Sequence, residues 1–294
     1  MRIQYLNGGL ANQVFQHIFA RFAELYNNNG ETWFLDDSFF FTNHVHNGYE
    51  LDKVFGIKAN LLSKSFDEDV WEEFIKNKKN GISIPQSFKN LGVDIQLIAE
   101  YENYKEHNPF DGAVHLIVSN DFSPEITALP GDTLYYHGYW LNQGWYTAYQ
   151  DILQKELSFP PIADKKNQEY ADLILSTKSV AVHVRRGDYV KIGWAAPNEF
   201  YLNTTKKLLA THPDAVYFIF SDDIKWCKDN CKDLGFNLPK ETIYIEGNVN
   251  GNNYRDLQLM SLCQGMILSK SAFCFLASLL GTQPKFIYHD IFSL

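Results

Sequence analysis

Two adjacent arginines are the clearest candidates for chemistry in this sequence. They lie in the segment 183–189, His-Val-Arg-Arg-Gly-Asp-Tyr, which directly follows a run of apolar residues. A guanidinium can bind two phosphate oxygens at once, so Arg185 and Arg186 indicate a site for an anionic ligand such as a phosphate or diphosphate. The alternative interpretation is an ion pair between Arg186 and Asp188 on a solvent-exposed rim.

Several positions between predicted strands and helices are further candidates. The turn at 8–9, Gly-Gly, could let a ligand approach the backbone, but it lacks the spacing of a dinucleotide fingerprint, and a plain tight turn explains it equally well. Ser221 and Asp222 follow a second apolar run, where helix capping is the alternative. Asp256 lies near the start of another predicted helix, so it too is either a site residue or a residue that stabilises a helix start. The segment 269–273, Ser-Lys-Ser-Ala-Phe, offers backbone amides to a phosphate or is a buried helix start.

The elements that must position these residues alternate in the second half of the chain. Predicted strands lie at 179–184, 216–220, 242–246, 266–268 and 285–288, and predicted helices at 197–210, 222–234, 253–263 and 271–280. Strands that are nearly continuous in apolar residues and separated by helices indicate a parallel sheet covered on both faces. Such sheets bind ligands beyond the carboxyl ends of their strands, and the two arginines follow one of these ends.

The first half of the chain is harder to interpret. It opens with a predicted strand at 2–6 and an amphipathic helix, and it closes with a strand at 135–140 and a helix at 150–157. Pro160 and Pro161 predict a linker after that helix. We therefore expect two domains, at 1–158 and 159–294.

Composition excludes several classes of protein. With 45% apolar residues, the chain of 294 residues can bury a large core and is not disordered. Its formal charge of −9 argues against a nucleic-acid partner. The four cysteines do not have the spacing of a zinc site, and free thiols are expected. Neither a signal peptide nor a membrane span is predicted, so we expect a cytoplasmic protein.

Taken together and in order, the motifs resemble those of the bacterial α-1,2-fucosyltransferases. The segment 183–189 matches that family's H-x-R-R-x-D-Y signature. The segment 8–16, Gly-Gly-Leu-Ala-Asn-Gln-Val-Phe-Gln, resembles its opening G-G-L-G-N-Q-M-F-Q. Looser similarities are found at 138–143 with G-Y-F-Q, at 220–226 with F-S-D-D-x-x-W, and at 256–263 with D-x-x-L-M-S-x-C.

The resemblance implies an α/β fold of GT-B type, in which two Rossmann-like domains face a cleft. The N-terminal domain would serve the acceptor, and the C-terminal domain would bind GDP-fucose. The implied reaction is inverting transfer of L-fucose from GDP-fucose to the 2-hydroxyl of a galactoside, without an essential metal or another cofactor. Surface polysaccharide or O-antigen synthesis is the implied setting, in the cytoplasm, with peripheral association at the inner face of the membrane left open.

The resemblance also implies roles for individual residues. Arg185 would bind the diphosphate and support the leaving GDP, Arg186 would assist it, and Asn12 would lie near the phosphates or the reacting sugar. Asp188 is a candidate proton acceptor, or it only orients Arg186. The implied donor-binding residues are His183 and Asp256 at the guanine edge, the backbone at Ser271, Ala272 and Phe273, and Arg185, Gly9, Ser221 and Asp222.

Two departures from the family pattern affect these expectations. Ala11 replaces a glycine, and the family's N-S-S-F-S-W-W appears at 270–276 as Lys-Ser-Ala-Phe-Cys-Phe-Leu. Lys270 could place a charge on the phosphates, or it could mark an altered donor or acceptor site. The alternative function is therefore a GDP-sugar-binding protein that is non-catalytic or has another specificity.

A D-x-D segment at 67–69 has the spacing found in metal-dependent sugar transferases. It lies directly before a helical pattern at 68–76. Acidic residues are favoured in the first turn of a helix, which explains Asp67 and Asp69 without a metal. We therefore expect no metal site there.

Overall fold

The chain folds into two compact units. The computed structural model describes residues 1–100, 114–281 and 286–289. The first unit begins at Met1 and ends at Ser158, and the second begins at Phe159. Within the described ranges, no helix has both the length and the apolar character that a bilayer span requires.

The first unit contains a five-stranded parallel sheet. Its strands are β1 (Arg2–Tyr5), β2 (Trp33–Asp36), β3 (Gln96–Glu100), β4 (Leu116–Val118) and β5 (Leu134–His137). Their order across the sheet is β2-β1-β5-β3-β4. Arg2 lies in register with both Trp33 and Leu134, so the three strands begin at the same level.

Helices surround the sheet of the first unit. They are α1 (Leu10–Asn27), α2 (Phe39–Thr42), α3 (Leu51–Phe55), α4 (Leu62–Ser65), α5 (Glu68–Lys79), α6 (Ile84–Asn90), α7 (Gln143–Thr147) and α8 (Gln150–Glu156). A short 3₁₀ helix spans Pro124–Ala128.

Aromatic residues fill the core on both faces of this sheet. Successive strand residues point to opposite faces, and Tyr135 and Tyr136 of β5 show this directly. Tyr135 packs with Phe88 of α6, whereas Tyr136 contacts Phe19 of α1 at a centroid distance of 5.5 Å. Trp140 stacks on Phe19 at 4.0 Å and is fully buried, so the aromatic segment after β5 belongs to the core.

The second unit contains another five-stranded parallel sheet. Its strands are β6 (Ser179–Val184), β7 (Val216–Ser221), β8 (Glu241–Tyr244), β9 (Gly265–Leu268) and β10 (Phe286–His289), in the order β10-β9-β6-β7-β8. Its helices are α9 (Lys165–Ser176), α10 (Gly187–Ile192), α11 (Asn198–Thr211), α12 (Ile224–Asp229), α13 (Tyr254–Leu262) and α14 (Ala272–Leu280). The central strand β6 is buried along its whole length.

The predicted α/β class is confirmed, with differences at element ends. The segment 135–140, where the sequence predicts a strand running into a turn, is a strand up to His137. The helix expected to reach residue 234 ends at Asp229. The last strand begins at Phe286 in the structure; Lys285, where the sequence analysis began it, lies outside the described residues. Each unit separately shows the alternation of strand and helix that predicts a parallel sheet.

Candidate functional site

The carboxyl edge of the second sheet gathers most of the predicted site residues. Strand β6 lies between β7 and β9 and ends at Val184, directly before the two arginines. Val184 lies in register with Ser221, the last residue of β7. The segments that leave β6, β7 and β9 therefore start side by side, at the edge where parallel sheets bind ligands.

Arg185 is held between two carboxylates. Its Nη2 lies 2.8 Å from Asp188 Oδ1, and its Nη1 lies 3.0 Å from Asp222 Oδ2. The guanidinium carbon also lies 5.3 Å from the centroid of the Tyr189 ring. The ion pair considered from the sequence, between Arg186 and Asp188, is therefore wrong, because Asp188 pairs with Arg185.

Asp222 fixes the segment that carries Arg185. Its Oδ1 accepts a hydrogen bond from the backbone N–H of Arg186 at 2.8 Å, while its Oδ2 pairs with the Arg185 guanidinium. A Cβ at Gly187 would lie 2.7 Å from Asp222 Oδ2, so only glycine fits there without a shift. Asp222 thus positions the arginine side chain and the backbone beside it.

Within the segment 221–223, the capping explanation is confirmed for Asp223 but not for Ser221 and Asp222. The hydroxyl of Ser221 donates a 2.7 Å hydrogen bond to the carbonyl of Val184 across the strand pair. The N-cap of α12 is Asp223, whose carboxylate accepts a hydrogen bond from the Trp226 N–H at 3.0 Å. Ser221 and Asp222 instead connect the ends of β6 and β7.

Arg186 has a different environment from Arg185. Its guanidinium carbon lies only 3.4 Å from the centroid of the Trp226 ring. A cation over the face of an indole is electrostatically favoured. Its Nε is buried and makes no hydrogen bond within the part of the chain that the structure describes. The sequence motif contained Trp226, but only the fold shows that it packs on Arg186.

His183 lies beneath this edge and is neutral. A hydrogen bond of 2.7 Å joins its Nδ1 to the hydroxyl of Ser269, which follows β9. Burial, with a smaller contribution from the nearby Arg185 charge, lowers the pKa of His183 to about 3. Its ring also lies 5.9 Å from that of Phe273. Ser269 belongs to the candidate segment 269–273, but its hydrogen bond to His183 was not predicted from the sequence.

Asp256 is a half-buried carboxyl in the first turn of α13. Its Oδ1 accepts a hydrogen bond from Asn248 Nδ2 at 2.7 Å, and Asn248 and Asn167 exchange two further side-chain hydrogen bonds at 2.8 and 2.9 Å. Burial raises the pKa of Asp256 to about 7, with the Asn248 hydrogen bond acting in the opposite direction. The two asparagines were not among the predicted site residues: Asn248 lies eight residues before Asp256, and Asn167 lies on α9.

Ser271 caps the helix that follows β9. Its hydroxyl oxygen accepts a hydrogen bond from the Phe273 N–H at 3.3 Å, and Ala272 begins α14. The capping explanation therefore accounts for the Ser271 side chain. The predicted phosphate contact of the Phe273 amide remains a prediction, since that amide has an intramolecular partner here.

Gly9 and Asn12 belong to the first unit. Gly9 is the N-cap residue of α1, and Asn12 lies in its first turn. Gly8 has φ +76°, and a Cβ there would collide with the Asn12 side chain. Gln13 donates hydrogen bonds to the carbonyls of Gly8 at 3.2 Å and of Gly48 at 2.9 Å. Gln13 of the opening motif is therefore a buried structural residue whose hydrogen bonds stabilise the turn before α1.

The D-x-D segment forms a helix start, as predicted. Asp67 is the N-cap residue of α5, with Glu68 and Asp69 in the first turn. Within the described residues, no group of three or more His, Cys, Asp or Glu side chains is arranged to hold a metal ion.

Comparisons with known proteins agree on one family. A family model described as Glycosyl transferase family 11 matches residues 91–288. An Alpha-1,2-colitosyltransferase of Escherichia coli is 28% identical over 275 residues, covering 91% of this chain and 83% of that protein. Galactoside 2-alpha-L-fucosyltransferase Sec1 of Mus musculus is 25% identical over 130 residues, covering 38% and 34%. A crystal structure of POFUT1 in complex with GDP-fucose shares the fold, with TM-score 0.53 and 13% identity over 98% of this chain and 97% of that one.

Proposed function

Because this chain belongs to glycosyl transferase family 11, we propose that it transfers L-fucose from GDP-fucose to the 2-hydroxyl of a galactoside, with inversion. The names of the two relatives support an α-1,2 linkage. The observation that carries the proposal is the guanidinium of Arg185, held by two carboxylates at the carboxyl edge of β6. This is where a parallel sheet binds its ligand.

Arg185 would stabilise the departing GDP. When the bond between the sugar and the diphosphate breaks, negative charge develops on the β-phosphate. A cation that is already in position stabilises that charge without reorganisation. Asp222 supplies the positioning, since it holds both the guanidinium and the backbone of Arg186.

Asp188 is the partner that a phosphate would displace. Its side chain is 62% exposed, whereas that of Asp222 is 25% exposed and tied to the backbone. A phosphate that takes two guanidinium N–H groups therefore competes most easily with Asp188. The carboxylate released in this way would be free to accept the proton of the attacking hydroxyl, so Asp188 would first hold Arg185 and then act as the proton acceptor.

His183 and Asp256 would recognise guanine. As a carboxylate, Asp256 can accept hydrogen bonds from the N1–H and the 2-amino group of guanine, which adenine and uracil do not present in that arrangement. Because the Nδ1 of His183 is bonded to Ser269, its neutral imidazole would contact guanine through Nε2. Together with the charge on Arg185, these contacts support a guanosine diphosphate as the leaving group.

The second candidate donor sugar is colitose. The relative that matches 91% of this chain is named an α-1,2-colitosyltransferase. Colitose lacks the 3-hydroxyl of fucose, so the two donors differ at one position of the sugar ring and share the nucleotide. The altered segment at 270–276 is where this chain departs from the fucosyltransferase pattern, and it is the best support for a different specificity.

Turnover with defined donors tests the proposed function. The purified chain is expected to release GDP from GDP-fucose in the presence of galactosides and to give a product heavier by one fucosyl group. A 2-deoxygalactoside, which lacks the accepting hydroxyl, is the matched control and should give no product. Faster turnover of GDP-colitose would favour the second candidate. GDP binding without turnover of any acceptor would contradict the enzymatic proposal.

Catalysis is expected to survive the removal of divalent metal ions. The proposal assigns the diphosphate charge to Arg185, and Asp67 and Asp69 to a helix start. We therefore expect the transfer rate to change less than about twofold in excess EDTA, since surface substitutions and chelation leave the arginine in place. The double variant Asp67→Asn/Asp69→Asn should behave in the same way. Loss of activity in EDTA and its recovery with manganese would contradict this assignment.

The acceptor is proposed to be a repeat unit of a surface polysaccharide or O-antigen. Such acceptors would be met in the cytoplasm at the inner face of the membrane, where the chain would associate peripherally. The galactoside panel identifies the acceptor, and co-sedimentation with vesicles tests the association.

A further inference from the structure

Lys270 is a cation at the same edge of the sheet as Arg185. Strands β6 and β9 are paired through Val182 and Ile267. Counted from that pair, Arg185 and Lys270 each lie three positions further along the chain. The hydrogen bond between His183 and Ser269 shows that the two segments stay adjacent beyond the paired residues. Both side chains therefore leave the sheet at the same level.

A pair of aromatic rings connects Lys270 to Arg185. The Lys270 ammonium lies 4.9 Å from the centroid of the Trp194 ring. Trp194 packs edge-to-face on Tyr189 at 5.8 Å, and Tyr189 lies under the Arg185 guanidinium. A cation over an aromatic face is oriented as well as attracted. The two rings thus hold both cations at one end of the sheet.

The local charge explains why a further cation is needed. Arg185 faces Asp188 and Asp222, so these three side chains together carry one net negative charge. A diphosphate entering that group alone would meet repulsion. Arg186 and Lys270 add two positive charges at the same edge, where Asp223 adds one further carboxylate at the start of α12.

We propose that Lys270 is a second diphosphate-binding cation, which shares the charge of the donor's phosphates with Arg185. The inference rests on the proposed function and assigns a specific role to a position where this chain departs from its family pattern. The Lys270 ammonium lies over the Trp194 ring, and an ammonium on a flexible stem can donate hydrogen bonds to phosphate oxygens.

Calorimetric binding of GDP and of guanosine tests this role. The variant Lys270→Met keeps the apolar stem over Trp194 and removes the charge, and Lys270→Asn restores the family's residue. Both are expected to bind GDP roughly tenfold more weakly, the scale of one lost hydrogen bond to a charged group. Guanosine, which has no phosphate, should bind all forms equally. Lys270→Arg should bind GDP nearly as well as the unmodified chain.

Lys178 provides the matched control. It lies directly before β6, at the opposite edge of the same sheet, and pairs with Asp214 at 3.2 Å. Lys178→Met should bind GDP unchanged. Unchanged GDP affinity in Lys270→Met, or an equal loss for guanosine, would overturn the role of Lys270. Failure of the unmodified chain to bind GDP would instead overturn the proposed function, so the two failures are distinguishable.

Discussion

Replacing Arg185 with lysine is expected to lower the transfer rate by roughly 10²–10³-fold, the scale of losing a donor that acts in the transition state. A guanidinium can stay on Asp222 with one N–H group and bind a phosphate oxygen with another, whereas a lysine supplies one mobile charge. The contact strengthens as charge builds on the leaving oxygen, so the loss should appear in kcat more than in KM. Steady-state kinetics with GDP-fucose and a galactoside measures it.

Arg186→Lys is the matched control for that experiment. Arg186 packs on Trp226 and, among the residues that the structure describes, has no carboxylate partner like those of Arg185, so we expect a smaller loss of rate. Both variants should keep the melting temperature within a few degrees, since neither arginine belongs to the apolar core. A folded Arg185→Lys enzyme with nearly normal turnover would show that Arg185 is a structural ion-pair partner and would remove the proposed mechanism.

Replacing Asp256 is expected to abolish the preference for guanine. The unmodified chain should be stabilised thermally by GDP and not by UDP or ADP, because a buried polar site rejects ligands that leave its groups unpaired, by as much as roughly 10⁴-fold. Asp256→Asn keeps the shape and removes the charge, so GDP should bind it roughly 100-fold more weakly, the scale of losing a charge-assisted pair of hydrogen bonds. Equal thermal shifts from all three nucleotides would remove the guanine assignment.

The same carboxyl gives a pH-dependent signature. Burial raises the pKa of Asp256 to about 7 in the ligand-free chain. The ionised form is the one that accepts hydrogen bonds from guanine, so GDP affinity should be full above pH 7 and fall as pH drops below it. The expected loss is about tenfold per pH unit for one coupled proton. Asp256→Asn should lack this component, which separates it from the titration of the nucleotide's own phosphates.

The sequence alone was sufficient for the fold class and for placing the two arginines at the end of a strand. Apolar runs separated by helical patterns predict parallel strands, because only strands buried on both faces can be apolar throughout. Connectivity then places Arg185 at the carboxyl edge of β6 without any coordinates. The order of motifs along the chain was also enough to indicate the family, which the match over 91–288 confirms.

The pairing of charges at the site was decided by the tertiary structure. The pair considered from the sequence was Arg186 with Asp188, two positions apart. In the structure α10 begins at Gly187, and side chains three positions apart face each other where a chain enters a helix. Arg185 therefore meets Asp188. Its second partner, Asp222, comes from the end of the neighbouring strand, and only the register of β6 with β7 brings it there.

The same reason applies to Lys270 and Asp256. The local sequence shows only that Lys270 follows a strand and that Asp256 lies near a helix start. At such positions it does not distinguish among phosphate binding, helix capping and simple exposure to solvent. The lysine acquires a defined position because β9 lies beside β6 and Trp194 lies beneath its ammonium. The aspartate acquires a raised pKa because the fold buries it beside Asn248. Short-range patterns determine which elements form, but contacts between distant segments determine the partners, burial and charge of each side chain at the site.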